Sequence, residues 1–185
     1  LDVERMEEGV MPLHRSDVDL MPLLRELIAE LQILADRHRQ RLEFSAPESL
    51  PLAFVDQDLI TRVIHNLVSN ALKFTPDDGK IAVQISAERA SIVLTIADSG
   101  PGVPPKERQR IFDKFAQLDT KNRRGKGLGL TFCRMAIEAH QGTLTVENSP
   151  LGGALFKISL PCEAPPLGSS NPGTKPRPYR LMWGK

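Results

Sequence analysis

Residues 56–75 read DQDLITRVIHNLVSNALKFT, and residues 80–97 read KIAVQISAERASIVLTIA. In the first run Leu59, Val63, Leu67, Ala71 and Phe74 recur at helical spacing and make one apolar face. The run stops before Pro76, and Asp77-Asp78-Gly79 is turn chemistry. The second run divides into Lys80–Ala87 and Ser91–Ala97, both rich in Ile and Val, with a tight connection at Glu88–Ala90. That pattern predicts paired strands. Strands that follow one another with no helix between them imply hairpins, which excludes a doubly wound parallel sheet.

Working outward, Asp19 reads as a helix cap, with Pro22 in the first turn, where a missing N–H does little harm. Leu20, Leu23, Leu24, Leu27, Ile28, Leu31 and Leu34 give the segment Leu20–Arg39 a wide apolar face. Arg41–Ser45 and Leu52–Val55 read as short strands around a Pro-rich turn. Downstream, Asp98–Pro105 is a Gly/Pro loop, Lys106–Phe115 a short helix and Ala116–Lys126 a polar, basic stretch. Gly127–His140 is a helix that Gly142 suits as a stop. Gly142–Glu147 and Ala154–Leu160 form a last strand pair around Gly152-Gly153. Helices interspersed with runs of strands predict an α/β fold: a two-layer sandwich with a mixed, mostly antiparallel sheet and helices on one face. The folded unit is expected over residues 18–161. Residues 1–17 are charged and interrupted by Gly9 and Pro12, and the last 25 residues hold six prolines, so residues 162–185 read as a disordered tail. That tail contains the single Trp183 and the single Tyr179.

At 185 residues the chain is long enough to bury a core without staples. Lys and Arg number 24 against 23 Asp and Glu, a net charge of +1 that gives no reason to expect nucleic acid. No apolar run approaches bilayer-spanning length, and the opening LDVERMEEG lacks the basic start and apolar stretch of a signal peptide. Cys133 and Cys162 stand far apart, without CxxC spacing, which fits a reducing, cytoplasmic setting. His14, His38, His65 and His140 are scattered and predict no zinc site.

Three segments carry possible chemistry. Asn66, Asn70 and Lys73 share one narrow stripe of the helix over 56–75. Two carboxamides and an ammonium would suit a magnesium polyphosphate, because a carboxamide oxygen is a hard ligand and Lys is a point charge. Alone, the stripe reads better as the solvated face of an amphipathic helix. Asp98-Ser-Gly-Pro-Gly-Val103 puts a carboxylate at a strand end, able to accept from an exocyclic amine, beside glycines that admit a flat ring. Alone, it is also an ordinary turn. Gly125, Gly127 and Gly129 alternate before a helix start, where free N–H groups favour phosphate. Alone, they are also hinges. The Rossmann spacing, a Walker A motif and the HRD and DFG signatures are absent.

In order, these segments resemble the catalytic ATP-binding domain of sensor histidine kinases, within the superfamily that includes gyrase, heat-shock chaperone and mismatch-repair ATPases. His65–Thr75 (HNLVSNALKFT) matches the asparagine box, Asp98–Val103 (DSGPGV) the first glycine box, and Ile111–Phe115 (IFDKF) the phenylalanine box. Gly125–Leu130 (GKGLGL) matches the second glycine box, and Gly152–Phe156 (GGALF) the late glycine turn. The resemblance covers roughly residues 18–161. It implies that Asn70 holds Mg²⁺, with Asn66 on the phosphates of ATP and Lys73 neutralising their charge. It implies that Asp98 binds the adenine amine, with Gly100, Gly102, Val103 and Phe74 around the base. Backbone of Gly127, Leu128, Gly129 and Leu130 would contact the β- and γ-phosphates. Ala116–Lys126 would be a mobile lid bringing Arg123, Arg124 and Lys126. Phe112 and Phe115 would be core or a docking element.

The hydrolysing relatives carry a Glu where Asn66 stands, and an amide cannot take a proton at neutral pH. Hydrolysis should be slow, with ATP held for a better nucleophile. The resemblance supplies a histidine on a dimeric helical hairpin as that nucleophile. No matching box occurs in this sequence; the opening resembles the end of such a hairpin, so the acceptor is expected upstream of Leu1. The partners implied are ATP, that hairpin and a response-regulator receiver domain. The full-length protein is expected to be a homodimer, membrane-anchored or soluble, and the fragment a monomer. The competing expectations are an ATPase or protein-serine kinase of the same superfamily, or a non-catalytic nucleotide-binding module.

Overall fold

The computed structural model of the chain describes residues 12–116 and 127–162. The expected phosphate contacts Arg123, Arg124 and Lys126, most of the expected lid, and the proline-rich tail lie outside the described residues. Helix α1 spans Leu20–Arg37, α2 Gln57–Phe74 and α3 Gly129–Ala139. The strands are β1 Ser16–Val18, β2 Arg41–Ser45, β3 Ala53–Val55, β4 Lys80–Glu88, β5 Ser91–Asp98, β6 Thr143–Asn148 and β7 Ala154–Pro161.

The main sheet has the order β2-β4-β5-β7-β6. The β4–β5 hairpin anticipated from Ile/Val alternation pairs in antiparallel register from Ile81↔Asp98 to Glu88↔Ser91. β5–β7 and β6–β7 are also antiparallel, whereas β2 runs parallel to β4 with Arg41 opposite Lys80. A parallel neighbour requires a crossover, and β3 and α2 lie in that connection. Alternation decides the layers. Ile81, Val83 and Ile85 of β4, Ile92, Leu94 and Ile96 of β5, and Phe156, Ile158 and Leu160 of β7 join one core with the buried faces of all three helices. Gln84, Ser86 and Thr95 alternate with them onto the opposite face. The architecture is the expected two-layer sandwich.

Asp side chains start the first two helices. The Asp19 carboxylate accepts from the Met21 N–H at 2.9 Å, and that of Asp56 accepts from the Leu59 N–H at 3.2 Å. Three local expectations need correction. Lys106–Phe115 is not a helix but two 3₁₀ turns, Pro105–Glu107 and Arg110–Phe112. Neither turn has a side-chain cap, Asp113 is extended, and Phe115 has φ +60, so no α-helical ladder can propagate. On α1 the buried face continues from Leu31 to Ala35, which leaves Leu34 exposed. The strand expected from Leu52 begins at Ala53 and stays out of the main sheet. It pairs instead with β1, Ser16 opposite Val55, an element the charged N-terminal stretch did not announce.

Candidate functional site

Two clusters of the anticipated residues lie along α2. In the first, the α2 stripe meets the start of α3. Asn66 and Asn70 are half-buried, and a Cβ built on Gly129 would stand 3.8 Å from Asn66 Oδ1. Unlike α1 and α2, helix α3 has no side-chain cap, and its first turn carries no acid. Its leading N–H groups therefore keep their affinity for an anion. Gly127 has φ +66, and a Cβ there would meet Phe115 Cα at 2.8 Å, so only glycine fits. The same closeness lets the Phe115 N–H donate to the Gly127 carbonyl at 3.1 Å. Leu128 and Leu130 are half-buried and pack on the core.

The second cluster surrounds Asp98, which is 4% exposed at the end of β5. The Gly100 N–H donates to Asp98 Oδ1 at 2.8 Å, and the Ala154 N–H donates to the same oxygen at 3.1 Å. Both backbone donors thus converge on one carboxylate oxygen. Burial pushes the Asp98 carboxyl above its usual range, and the two N–H groups oppose that rise. Sequence reading left Gly153 off the site. A Cβ there would lie 2.0 Å from Asp98 Oδ1 and 2.5 Å from the Gly100 nitrogen. The double glycine ahead of the last strand was the available signal. Gly102 (φ +71) packs on the Gly153 backbone and Val103 is buried.

The clusters are joined by the C-terminal end of α2, because a Cβ on Gly100 would stand 2.7 Å from the Phe74 carbonyl oxygen. The Phe74 side chain is half exposed, with the Lys73 ammonium 4.9 Å from its ring centroid. Of the two phenylalanines in the 111–115 segment, Phe112 is core and packs edge-on to Phe156, while Phe115 is 69% exposed. Among the described residues no three His, Cys, Asp or Glu side chains gather as a metal set. A cation here would depend on amide oxygens and on its ligand's own oxygens.

A third polar group, missed in the sequence, lies at the opposite end of the helix pair. His140, 1% exposed, accepts the Asp56 N–H on Nε2 at 2.9 Å. Its Nδ1 must then carry the proton, which it donates to the Ala136 carbonyl at 2.7 Å. The His14 N–H donates to Asp56 Oδ2 at 2.9 Å, and the Arg15 guanidinium donates to the Ala139 carbonyl. Burial holds the His140 imidazole below its usual range. Asp56 meets His140 just beyond α3, and Asn66 meets Gly129 at its start, so α2 and α3 run antiparallel.

Comparison with known proteins identifies the family of the chain. Residues 55–164 match the family described as histidine kinase-, DNA gyrase B- and HSP90-like ATPases. The sensor histidine kinase TmoS of Ectopseudomonas mendocina is 38% identical over 169 residues, which is 89% of this chain and 17% of TmoS. The sensor protein KdpD of Escherichia coli is 36% identical over 167 residues, 90% of this chain and 18% of KdpD. The chain therefore spans less than a fifth of these relatives. Full-length ShkA in complex with AMPPNP superposes with a TM-score of 0.77 at 29% identity, over 86% of this chain and 33% of ShkA. The nucleotide-free catalytic domain of the histidine kinase ThkA gives 0.73 at 28%, over 80% of this chain and 95% of that domain. The chain belongs to this ATPase family and holds an ATP-binding catalytic domain of the sensor histidine kinase type. No helix among the described residues is long and apolar enough to cross a membrane.

Proposed function

We propose that this domain binds Mg²⁺–ATP and presents the γ-phosphoryl group to a histidine on a helical hairpin of the parent protein, for relay to the aspartate of a response-regulator receiver domain. The observation that carries the reading is the meeting of the Asn66 carboxamide with the uncapped start of α3. It brings a hard oxygen and unsatisfied N–H donors together, and these are the two things a metal-bound polyphosphate needs.

In this reading Asn70 holds Mg²⁺, which supplies charge neutralisation to the phosphates. Asn66, Lys73 and the backbone of Gly127, Leu128, Gly129 and Leu130 orient the polyphosphate, joined by Arg123, Arg124 and Lys126. Asp98 accepts the purine amine through the oxygen that neither backbone donor uses. Gly100, Gly102, Val103 and the end of α2 at Phe74 surround the base. The domain's work is positioning and charge stabilisation, with no covalent step of its own. The parent protein acts as a cytoplasmically oriented homodimer.

The test is to mix the chain with a separately expressed acceptor hairpin and labelled ATP. Acid-labile, base-stable label on the hairpin is expected; acid-stable label would instead mark a Ser/Thr kinase. A hydrolytic ATPase is disfavoured by the amide at Asn66. Robust steady-state turnover by the isolated chain would reverse that preference.

A further inference from the structure

Arg108 spans the two walls that hold Asp98. Its Nε–H donates to the Val103 carbonyl at 3.3 Å, and its Nη2–H donates to Asn148 Oδ1 at 2.6 Å. Val103 belongs to the loop that follows β5, and Asn148 ends β6, opposite Ala154 in the β6–β7 hairpin. The same two walls supply the donors to the carboxylate. The Gly100 N–H comes from the loop and the Ala154 N–H from the hairpin, and both end on Asp98 Oδ1. Gly102 of the loop also rests against the hairpin, where a Cβ would stand 3.1 Å from the Gly153 carbonyl oxygen. The direction of the carboxylate therefore depends on how the walls stand relative to each other. A guanidinium holds its N–H groups in one rigid plane, so two acceptors that share it keep a fixed separation.

We propose that Arg108 is a positioning residue for the base pocket, bracing the loop against the hairpin so that the Asp98 carboxylate stays aligned to accept a purine amine. This rests on the reading of Asp98 as the group that binds the base. With the brace in place, Oδ1 is committed to the two backbone amides and the second oxygen is left to the ligand. Without it, the walls shift and the carboxylate loses that alignment. The loss falls on the base and spares the phosphates, which bind at the start of α3. Lys cannot take over, because a single ammonium on a flexible stem has no fixed fork.

The experiment compares Arg108→Met, which keeps the aliphatic stem and loses both donors, with Arg108→Lys, which keeps the charge. In calorimetry both should bind Mg²⁺–ATP roughly five-fold more weakly, the worth of one hydrogen bond. Both should bind Mg²⁺–GTP and Mg²⁺–tripolyphosphate as the wild-type chain does, so the preference for ATP shrinks by the same factor. Asn148→Ala should reproduce the loss, and the double variant should lose no more than either single one. In an Asp98→Asn background, Arg108→Met should have no further effect. An unchanged ATP-to-GTP ratio, an equal loss for tripolyphosphate, or additive losses with Asn148→Ala would overturn the proposal. Should Arg108→Met fail to give a cooperative melt, Arg108→Lys alone carries the comparison. Failure of the wild-type chain to bind ATP would sink the nucleotide reading instead. The brace is then decided by backbone amide spectra of the nucleotide-free chain. The Gly100 and Ala154 N–H resonances should move in both Arg108 variants, and unmoved resonances would sink it.

Discussion

The antiparallel α2–α3 pair uses buried polar groups in opposite ways at its two ends. At the Asp56 end, the Asp56 carboxylate accepts from Leu59 and His14, both His140 nitrogens are engaged, and Arg15 covers a terminal carbonyl of α3. At the Asn66 end, α3 begins without a cap, and farther along α2 the Asp98 carboxylate receives both backbone donors on one oxygen. A saturated network rigidifies and leaves nothing for a ligand, whereas an unsaturated one keeps interaction energy in reserve for it. Both ends are polar and both sit on the same two helices, so polarity alone does not distinguish support from site. Saturation does.

The largest way to break this comparison is at the saturated end. His140→Ala empties a fully buried volume and strands the Asp56 N–H, so unfolding by urea should show a loss of about 3–4 kcal/mol. The folded fraction should still bind ATP within about twofold of wild type, given typical independence of distant sites. At the open end, Asn70→Ala should leave the melting midpoint nearly unchanged yet weaken Mg²⁺–ATP binding by roughly a hundredfold, at or beyond the upper cost of losing a metal's outer partner. Unchanged affinity in magnesium would remove Asn70 from the metal role. Gly153→Ala sharpens the contrast, because the new methyl would collide with Asp98 Oδ1. About 1–3 kcal/mol of stability should go with it, the usual cost of overpacking, together with the preference for ATP over GTP.

The smallest effect is in pH dependence. The folded-state pKa of His140 lies below its ordinary value near 6.5, so the unfolded chain binds the extra proton first. Its contribution is complete above about pH 6.5 and is lost as the solution is acidified toward the lower folded value. For Asp98 the folded pKa lies above 3.8, so the folded state binds the extra proton, and its burial penalty eases as pH falls through that range. Urea midpoints should thus decline below pH 6.5, and His140→Gln should flatten the decline. A slope that persists in that variant would place its origin in another group.

Much of this was legible in the sequence because it is local. Asp19 and Asp56 announce helix starts, Pro76 stops α2, and the Ile/Val runs of β4 and β5 alternate with the pleat. Asn66, Asp98 and Gly129 were readable as residue types set in order. What was not legible depends on partners distant in the chain. Strand β1 has three residues, two of them exposed, and exists through pairing with β3. The Asp56–His140 bond joins positions 84 apart, and His140 in isolation is one scattered histidine.

The clasp between Phe115 and Gly127 has a consequence for chain length. The backbone leaves and rejoins the body of the domain at one spot, fastened by the Phe115 N–H on the Gly127 carbonyl. When both ends of a segment are moored side by side, lengthening it costs only about 0.6 kcal/mol per doubling. Changes of length between those two moorings therefore weigh little on the framework to which they are fastened.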